Sequence, residues 1–308
     1  MASDQELIEK FLADFTSKIV AEFGDKIDFI LLFGSAARGE FVKGASDIDL
    51  IIQTKSNEDM TAIEGEAEKI FWDLDKKYNL EFKKVLSIAK SKNLIEKFLH
   101  GIEAKAHLFK PIFVFGPDEL DWQNGTIKAE RLDWILGATF LASLSTTFLK
   151  MKKEGKILFG RDIRAEIHPK LNFWERWKGI WLPFYLAVIS IFIFPLLPKE
   201  GLKLATKAVF WQIDAVLLYL GQASFGQKEK LVGILKKRLG VPIAFAHLTL
   251  EILPKGSLLI VDEAAELRRN NFKIPFFLGY AFCFKSLFFV IMISWLANFK
   301  LIFQLLFD

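Results

Sequence analysis

One segment constrains this chain more than any other: LLFGSAARGEFVKGASDIDLII, residues 31–52. It opens as a buried-strand run, breaks at Gly34-Ser35 and resumes as a strand at Asp47-Ile48-Asp49. Residues i and i+2 of a strand project from the same face, so Asp47 and Asp49 aim two carboxylates at one point while Ile48, Leu50 and Ile52 point into the core. Oxygen-only ligands of this kind suit Mg²⁺, which keeps its waters and shares substrate phosphates. Two such ions, with Mn²⁺ as a substitute, stabilise both the attacking and the leaving oxygen of an in-line phosphoryl displacement. Gly34 permits close backbone approach, and Ser35 is expected to open a short helix, SAARG, whose free N–H groups face an anion. Arg38 and Lys43 in the same loop would neutralise a leaving pyrophosphate. Gly34, Ser35, Arg38, Lys43 and Ser46 are therefore the expected nucleotide-binding residues, and a triphosphate, ATP first, the expected ligand. The plainer readings are a helix N-cap for Ser35, solvated surface for the loop cations and a surface acid for Glu40.

The surrounding pattern predicts a small mixed sheet covered by helices, an α+β arrangement. Leu7, Ile8, Phe11, Leu12, Phe15, Ile19 and Val20 recur at helical spacing between Ser3 and Gly24. IDFILLFG and DIDLIIQ read as strands, residues 57–78 as a helix buried through Ile63, Ala67, Ile70, Phe71 and Leu74, and LEFKKVLSI as a third strand. A helix over residues 91–106 and a short strand around Pro111–Phe115 complete this half. Neither GxGxxG nor GxxxxGKS is present. From Thr126 the pattern is helical almost throughout, predicting five or six helices with breaks at residues 155–160, 168–169, 195–201, 221–226, 240–242 and 254–256. The junction is placed in KMKKEGK, giving a catalytic domain over 1–150 and an all-helical domain over 151–308.

The Gly34-Ser35 and Asp47-Ile48-Asp49 pattern resembles the signature of the polymerase-β nucleotidyltransferase superfamily, particularly its minimal and aminoglycoside-type members. The resemblance is specific over residues 27–53 and extends to about residue 89. It implies that Asp47 and Asp49 hold two Mg²⁺ ions, and that a third acid on a later strand accepts the acceptor's proton. The only acid on the expected third strand is Glu81, where many relatives have Asp, so Glu81 completes the expected metal and catalytic set. Lys83, on the same face, offers it a structural partner instead. The implied activity is transfer of a nucleoside monophosphate from an NTP to a hydroxyl of a small molecule, a protein or an RNA. The competing reading is a nucleotide-binding or membrane-associated regulatory module with little turnover.

Composition adds an asymmetry. Residues 1–150 carry 19 Lys and Arg against 25 Asp and Glu, whereas residues 151–308 carry 22 against 12. A basic, aromatic-rich second half suits RNA or an anionic membrane, or is a solvated basic surface. The 32 Phe and a mean hydropathy of +0.27 make the chain unusually apolar. Residues 180–197 are uncharged, and residues 276–306 contain only Lys285 and Lys300. Membrane association through 174–197 or 276–306 therefore competes with burial in a helical core. Trp174, Trp177, Trp181, Arg176 and Lys178 gather at one end of the first run, as interfacial anchors do. The single Cys283 excludes an intrachain disulfide, and the acidic N-terminus does not read as an export signal, so a cytoplasmic location is expected. The four histidines lack ligand spacing. Arg161, Asp162 and Arg164 group in a turn that reads as caps and a local ion pair, or as a substrate contact.

Overall fold

The computed structural model describes residues 3–43, 46, 48–82, 111–127, 143–170, 172–219 and 253–307. It divides into two compact units, Met1–Phe140 with Leu144–Lys170, and Leu141–Ser143 with Leu171–Asp308. The junction expected after residue 150 falls inside a helix of the first unit, where Met151 is buried. The strand that follows that helix belongs to the first unit's sheet, which is why the unit continues to Lys170.

The first unit begins with α1 (Asp4–Phe23). Ser3 caps it in a capping box: its Oγ accepts from the Glu6 N–H at 3.2 Å, and the Glu6 carboxylate accepts from the Ser3 N–H at 2.9 Å. β1 (Ile27–Phe33), the one-turn helix α2 (Gly34–Ala37) and β2 (Asp49–Thr54) follow, then α3 (Met60–Tyr78). β3 (Ile112–Phe115) is the short strand expected there, and β4 (Leu120–Asp121) pairs with β5 (Thr126–Ile127) as a separate ribbon. α4 (Leu144–Glu154) and β6 (Lys156–Gly160) complete the described elements of this unit.

The four-stranded sheet has the order β3-β2-β1-β6. β1 is antiparallel to β2 and β6, and β2 is parallel to β3. Its two faces explain why β1 and β2 are nearly continuous apolar runs. Ile30, Leu32, Leu50 and Ile52 face Phe11, Phe15, Ile63 and Phe71 of α1 and α3. Phe29, Leu31 and Ile51 face Trp122, Phe148 and Met151 on the other side. A strand buried on both faces loses the alternation that marks a half-exposed one. The buried Gln53 is satisfied: its Nε2 donates to the Gly116 carbonyl and its Oε1 accepts from Trp122 Nε1.

Two sequence expectations need correction here. Within the break expected at 155–160, Lys156–Gly160 form β6 rather than a turn between helices, because Arg161 N–H and the β6 ladder pair with a strand far earlier in the chain. The described part of the expected third strand, Leu80–Phe82, is a turn. α3 ends on Asn79 in the left-handed conformation (φ 51°), and Glu81 is also left-handed (φ 65°), which a strand does not allow. Residues 83–110, with Lys83 and the helix expected over 91–106, lie outside the described residues.

One glycine gives a test of the helix assignment. Gly65 sits exposed inside α3, and an added Cβ would meet no atom within 4 Å. Gly65→Ala is expected to stabilise the first unit by about 0.5–1 kcal/mol, from the backbone entropy Gly gives up in a helix. A urea midpoint that fails to rise would show that residue 65 is not helical.

In the second unit the described helices are α5 (Phe173–Ile193), α6 (Pro198–Tyr219), α7 (Leu253–Arg269) and α8 (Phe276–Phe307). α5 continues through Pro183, and of the break expected at 195–201 only residues 195–197 are non-helical, since 198–201 already form the first turn of α6. The 254–256 break marks the start of α7, where Pro254 is tolerated because first-turn N–H groups have no intrahelical acceptor. The breaks at 221–226 and 240–242, and the side chains of Trp174 and Arg176, lie outside the described residues. Among the described residues, one helix is long and apolar enough to cross a membrane, over Phe276–Asn298.

Candidate active site

The site grows from the register of β1 against β2. Phe33, the last residue of β1, lies opposite Asp49, the first of β2, so the chain leaves the sheet at Gly34 beside the Asp49 carboxylate. Gly34 has φ +77°, and a Cβ built there would fall 2.3 Å from Asp49 Oδ2. Both facts require glycine: the dihedral disfavours any side chain, and the carboxylate occupies the space a side chain would need. Asp49 is half-buried, whereas its neighbours Ile48 and Leu50 are buried, as the alternation expected for DIDL demands. Asp47 lies outside the described residues.

Ser35 is the second residue of α2, and Phe33 holds the N-cap position without a side-chain cap bond. The N-cap reading of Ser35 therefore does not hold. Its carbonyl accepts from the Glu40 N–H at 3.0 Å and closes the turn after α2.

The loop after α2 is tied down along its length. Arg38 donates from Nε to Glu40 at 3.1 Å and from Nη1 to Glu154, the last residue of α4, at 2.5 Å. Its side chain is 19% exposed and that of Glu154 6%, so this is a largely buried pair. Burial alone would depress the guanidinium, but the two carboxylates hold its pKa above the ordinary arginine value. Arg38, expected to face the nucleotide, is thus engaged with acids of its own unit, and Glu40 is its partner rather than a solvated surface acid. Arg38→Ala would leave Glu154 buried with its partner gone. A loss of about 3–5 kcal/mol in unfolding free energy is expected, readable by denaturant titration. Arg38→Lys would recover only part of it, because an ammonium cannot reach both acids with the geometry of a guanidinium.

Further along, the Lys43 N–H donates to Asp4 Oδ2 at 3.0 Å, anchoring the loop to the first turn of α1. Ser46 is buried; its Oγ accepts from the Val42 N–H at 2.9 Å, and its own N–H donates to the Val42 carbonyl at 2.8 Å. Lys43 Nζ lies 3.5 Å from Glu81 Oε1. The structure thus brings two of the expected site residues together from distant segments. Glu81 reaches Lys43 from the left-handed turn after α3, and Asp75 helps shape that turn by accepting from the Phe82 N–H at 3.3 Å. Burial raises the Asp75 carboxyl above the ordinary carboxylate value, against the backbone N–H groups of the turn. Asp75 could not be read as part of this arrangement, since its carboxylate acts on a turn five to seven residues further on.

The grouped Arg161, Asp162 and Arg164 follow the plainer reading. Arg161 Nη2 donates to Asp28 at 2.8 Å and Nη1 to Glu166, while Arg164 Nη2 donates to Asp162 at 2.6 Å. The Arg164 guanidinium holds the Asp162 carboxyl down to about 2, and Asp162 caps the short turn at Ile163–Glu166. These charges serve the fold.

A glycine thus sits against an aspartate at the mouth of an antiparallel strand pair, and a pinned loop follows. Residues 16–107 match the family model described as a nucleotidyltransferase domain. No curated protein matches the chain. Among solved structures the chain is similar to spectinomycin adenyltransferase AAD(9) from Enterococcus faecialis, solved with ATP and spectinomycin. The two share 14% identity with a TM-score of 0.45, over 95% of this chain and 100% of that one.

Proposed function

We propose that this chain is a divalent-metal-dependent enzyme that transfers a nucleoside monophosphate from an NTP to an acceptor hydroxyl. The acceptor oxygen attacks the α-phosphorus, the bond from that phosphorus to the bridging oxygen breaks, and pyrophosphate leaves. The observation that carries this reading is the contact of Gly34 with the Asp49 carboxylate. The carboxylate takes the space that a Cβ at residue 34 would need, which puts an oxygen donor directly against the backbone where the chain leaves the sheet. Among the described residues no three metal-ligating side chains converge, and Asp47 is not one of those residues. The all-oxygen donors Asp47 and Asp49 fit Mg²⁺, which when bound neutralises phosphate charge. Gly34 and Ser35 admit the triphosphate backbone closely, Ser35 with a hydroxyl not spent on capping. Lys43 supplies positive charge beside it.

Glu81 takes the proton from the acceptor hydroxyl in this reading. Its left-handed backbone supports that role, because strain in a non-glycine residue persists where function requires the geometry. Glu81→Gly should then have opposite effects on stability and turnover. Relief of the φ +65° strain is expected to raise stability by about 0.5–1 kcal/mol, while loss of the base lowers kcat by about 10²–10⁴-fold. Unchanged kcat would remove Glu81 from catalysis.

The test of the whole reading is pyrophosphate release with each NTP and Mg²⁺, by the wild type and by the Asp47→Asn, Asp49→Asn double variant. Equal rates would sink the enzyme. Mass spectrometry of small molecules, RNA and co-purifying proteins after incubation would identify the acceptor by a gain of one nucleotide.

A further inference from the structure

The second unit has an apolar core and, in addition, an apolar outer face. α5 and α8 pack antiparallel: Phe194, just beyond α5, stacks on Tyr280 near the start of α8 at 5.5 Å between centroids. Between the helices, small and hydroxylated residues are interspersed with large buried apolar ones such as Phe282, Phe289 and Ile293. Ala187 and Ser190 of α5, Ala205 and Thr206 of α6, and Cys283 and Ser286 of α8 are all buried. Ser190 and Ser286 donate to carbonyls of their own helices at 2.7 Å, and Gln212 donates to Ser294 across α6 and α8 at 2.8 Å. A Cβ at Gly279 would come within 2.7 Å of the Phe194 ring, so close approach depends on glycine there.

The outward faces carry the large apolar groups. Tyr185, Ile189 and Phe192 of α5 are 42%, 43% and 73% exposed, and Phe277, Phe284 and Phe288 of α8 are 85%, 50% and 64% exposed. On a water-facing bundle exposed apolar side chains are usually scattered singly, whereas here six lie on two packed helices. An outward apolar face of this kind marks a surface that meets hydrocarbon or a partner, and the small and hydroxylated residues where α5 meets α8 allow the close approach that helices make in lipid.

Length and charge agree with this. The apolar stretch Phe276–Asn298 has 23 residues, and 39% of its most apolar window is buried, so the rest of that window is left outside the core. At 1.5 Å per residue it extends about 34 Å, the scale of a bilayer's hydrocarbon layer at about 30 Å. Its one charge, Lys285, pairs with Glu263 of α7 at 3.0 Å. Lys178 and Lys199 bracket the apolar run of α5, and Lys273 precedes α8. Residues 171–308 carry 16 Lys and Arg against 9 Asp and Glu. That excess repels a second copy and attracts anionic headgroups.

We propose that the α5 and α8 face is embedded in an anionic lipid bilayer, tethering the nucleotidyltransferase domain to a membrane. The inference does not depend on the enzymatic reading. The full chain is expected to sediment with membranes, resist high-salt and carbonate washes, and dissolve only in detergent. Reconstituted, it should float with phosphatidylcholine vesicles containing phosphatidylglycerol, and more weakly with phosphatidylcholine alone. The Phe277→Ser, Phe284→Ser, Phe288→Ser variant should partition into vesicles at least tenfold less while keeping its circular dichroism spectrum. A wild type that stays in the supernatant without detergent, or that stays at the bottom of the gradient with both vesicle types, overturns the proposal. So does a detergent-free dimer that the triple variant converts to monomer. Pyrophosphate release from the same preparations keeps failure of the membrane proposal distinct from failure of the enzyme.

Discussion

Asp49→Asn is expected to reduce pyrophosphate release by about a thousandfold, with little change in the unfolding midpoint. The size follows from the role proposed for the carboxylate. A preorganised group aimed at developing charge on a reacting phosphate or acyl oxygen is worth about 10²–10³ in kcat when removed, and a metal ligand acts on both the attacking and leaving oxygens. The small effect on stability follows from its place. Asp49 is half-buried at the first position of β2, opposite Phe33, and the ladder it joins is made by backbone groups that Asn retains. Asn also keeps the shape that rests against Gly34. The diagnostic result is therefore a loss of turnover with an intact fold. If raising Mg²⁺ or replacing it with Mn²⁺ restores part of the rate in Asp49→Asn but not in the double variant with Asp47→Asn, the residue acts through the ion. A variant that unfolds, or one that turns over normally, would each deny Asp49 its role.

The elements that position this aspartate were legible because they are local. α1 announces itself through Ser3, Glu6 and a helical apolar stripe, and β1 and β2 through apolar runs ended by Gly34 and begun by Asp49. The family pattern spans the strand pair itself, so register and motif are one fact. What was not legible depends on partners far along the chain. Arg38 reads as a free loop cation until Glu154, 116 residues away, meets it. β6 looks like an interhelical turn because its five residues follow Gly155 and end on Gly160, and its pairing partner β1 comes more than 120 residues earlier. The turn at Glu81 was hidden by the strand propensity of the residues around it, which a left-handed cap at Asn79 overrides. In the second unit the sequence shows that large apolar side chains are abundant, but only the packing shows that many of them face outward.

Gly34→Ala is expected to match the Asp49 substitution in lost activity while also costing stability. An alanine must hold φ +77°, which costs about 1–2 kcal/mol per residue for an L-amino acid in the left-handed region. Its Cβ would in addition lie 2.3 Å from Asp49 Oδ2, inside any permissible contact. The backbone of Asp49 is fixed by its pairing with Phe33, so the movement falls on the carboxylate at the end of the side chain. Rotating that group away from Gly34 turns it from the position proposed for metal and phosphate, and a misplacement of about 1 Å can cost 10²-fold in rate. The expected phenotype is a drop in unfolding free energy of about 1–2 kcal/mol together with a fall in kcat of at least 10². The comparison that separates the carboxylate contact from the backbone is Gly39→Ala, at φ +75° in the same loop, where a Cβ would come no closer than 3.9 Å to its nearest neighbour, Gln5. Gly39→Ala should pay the same conformational cost and keep most of the turnover. Equal loss of activity in both would mean that loop geometry, rather than the space beside Asp49, sets the rate.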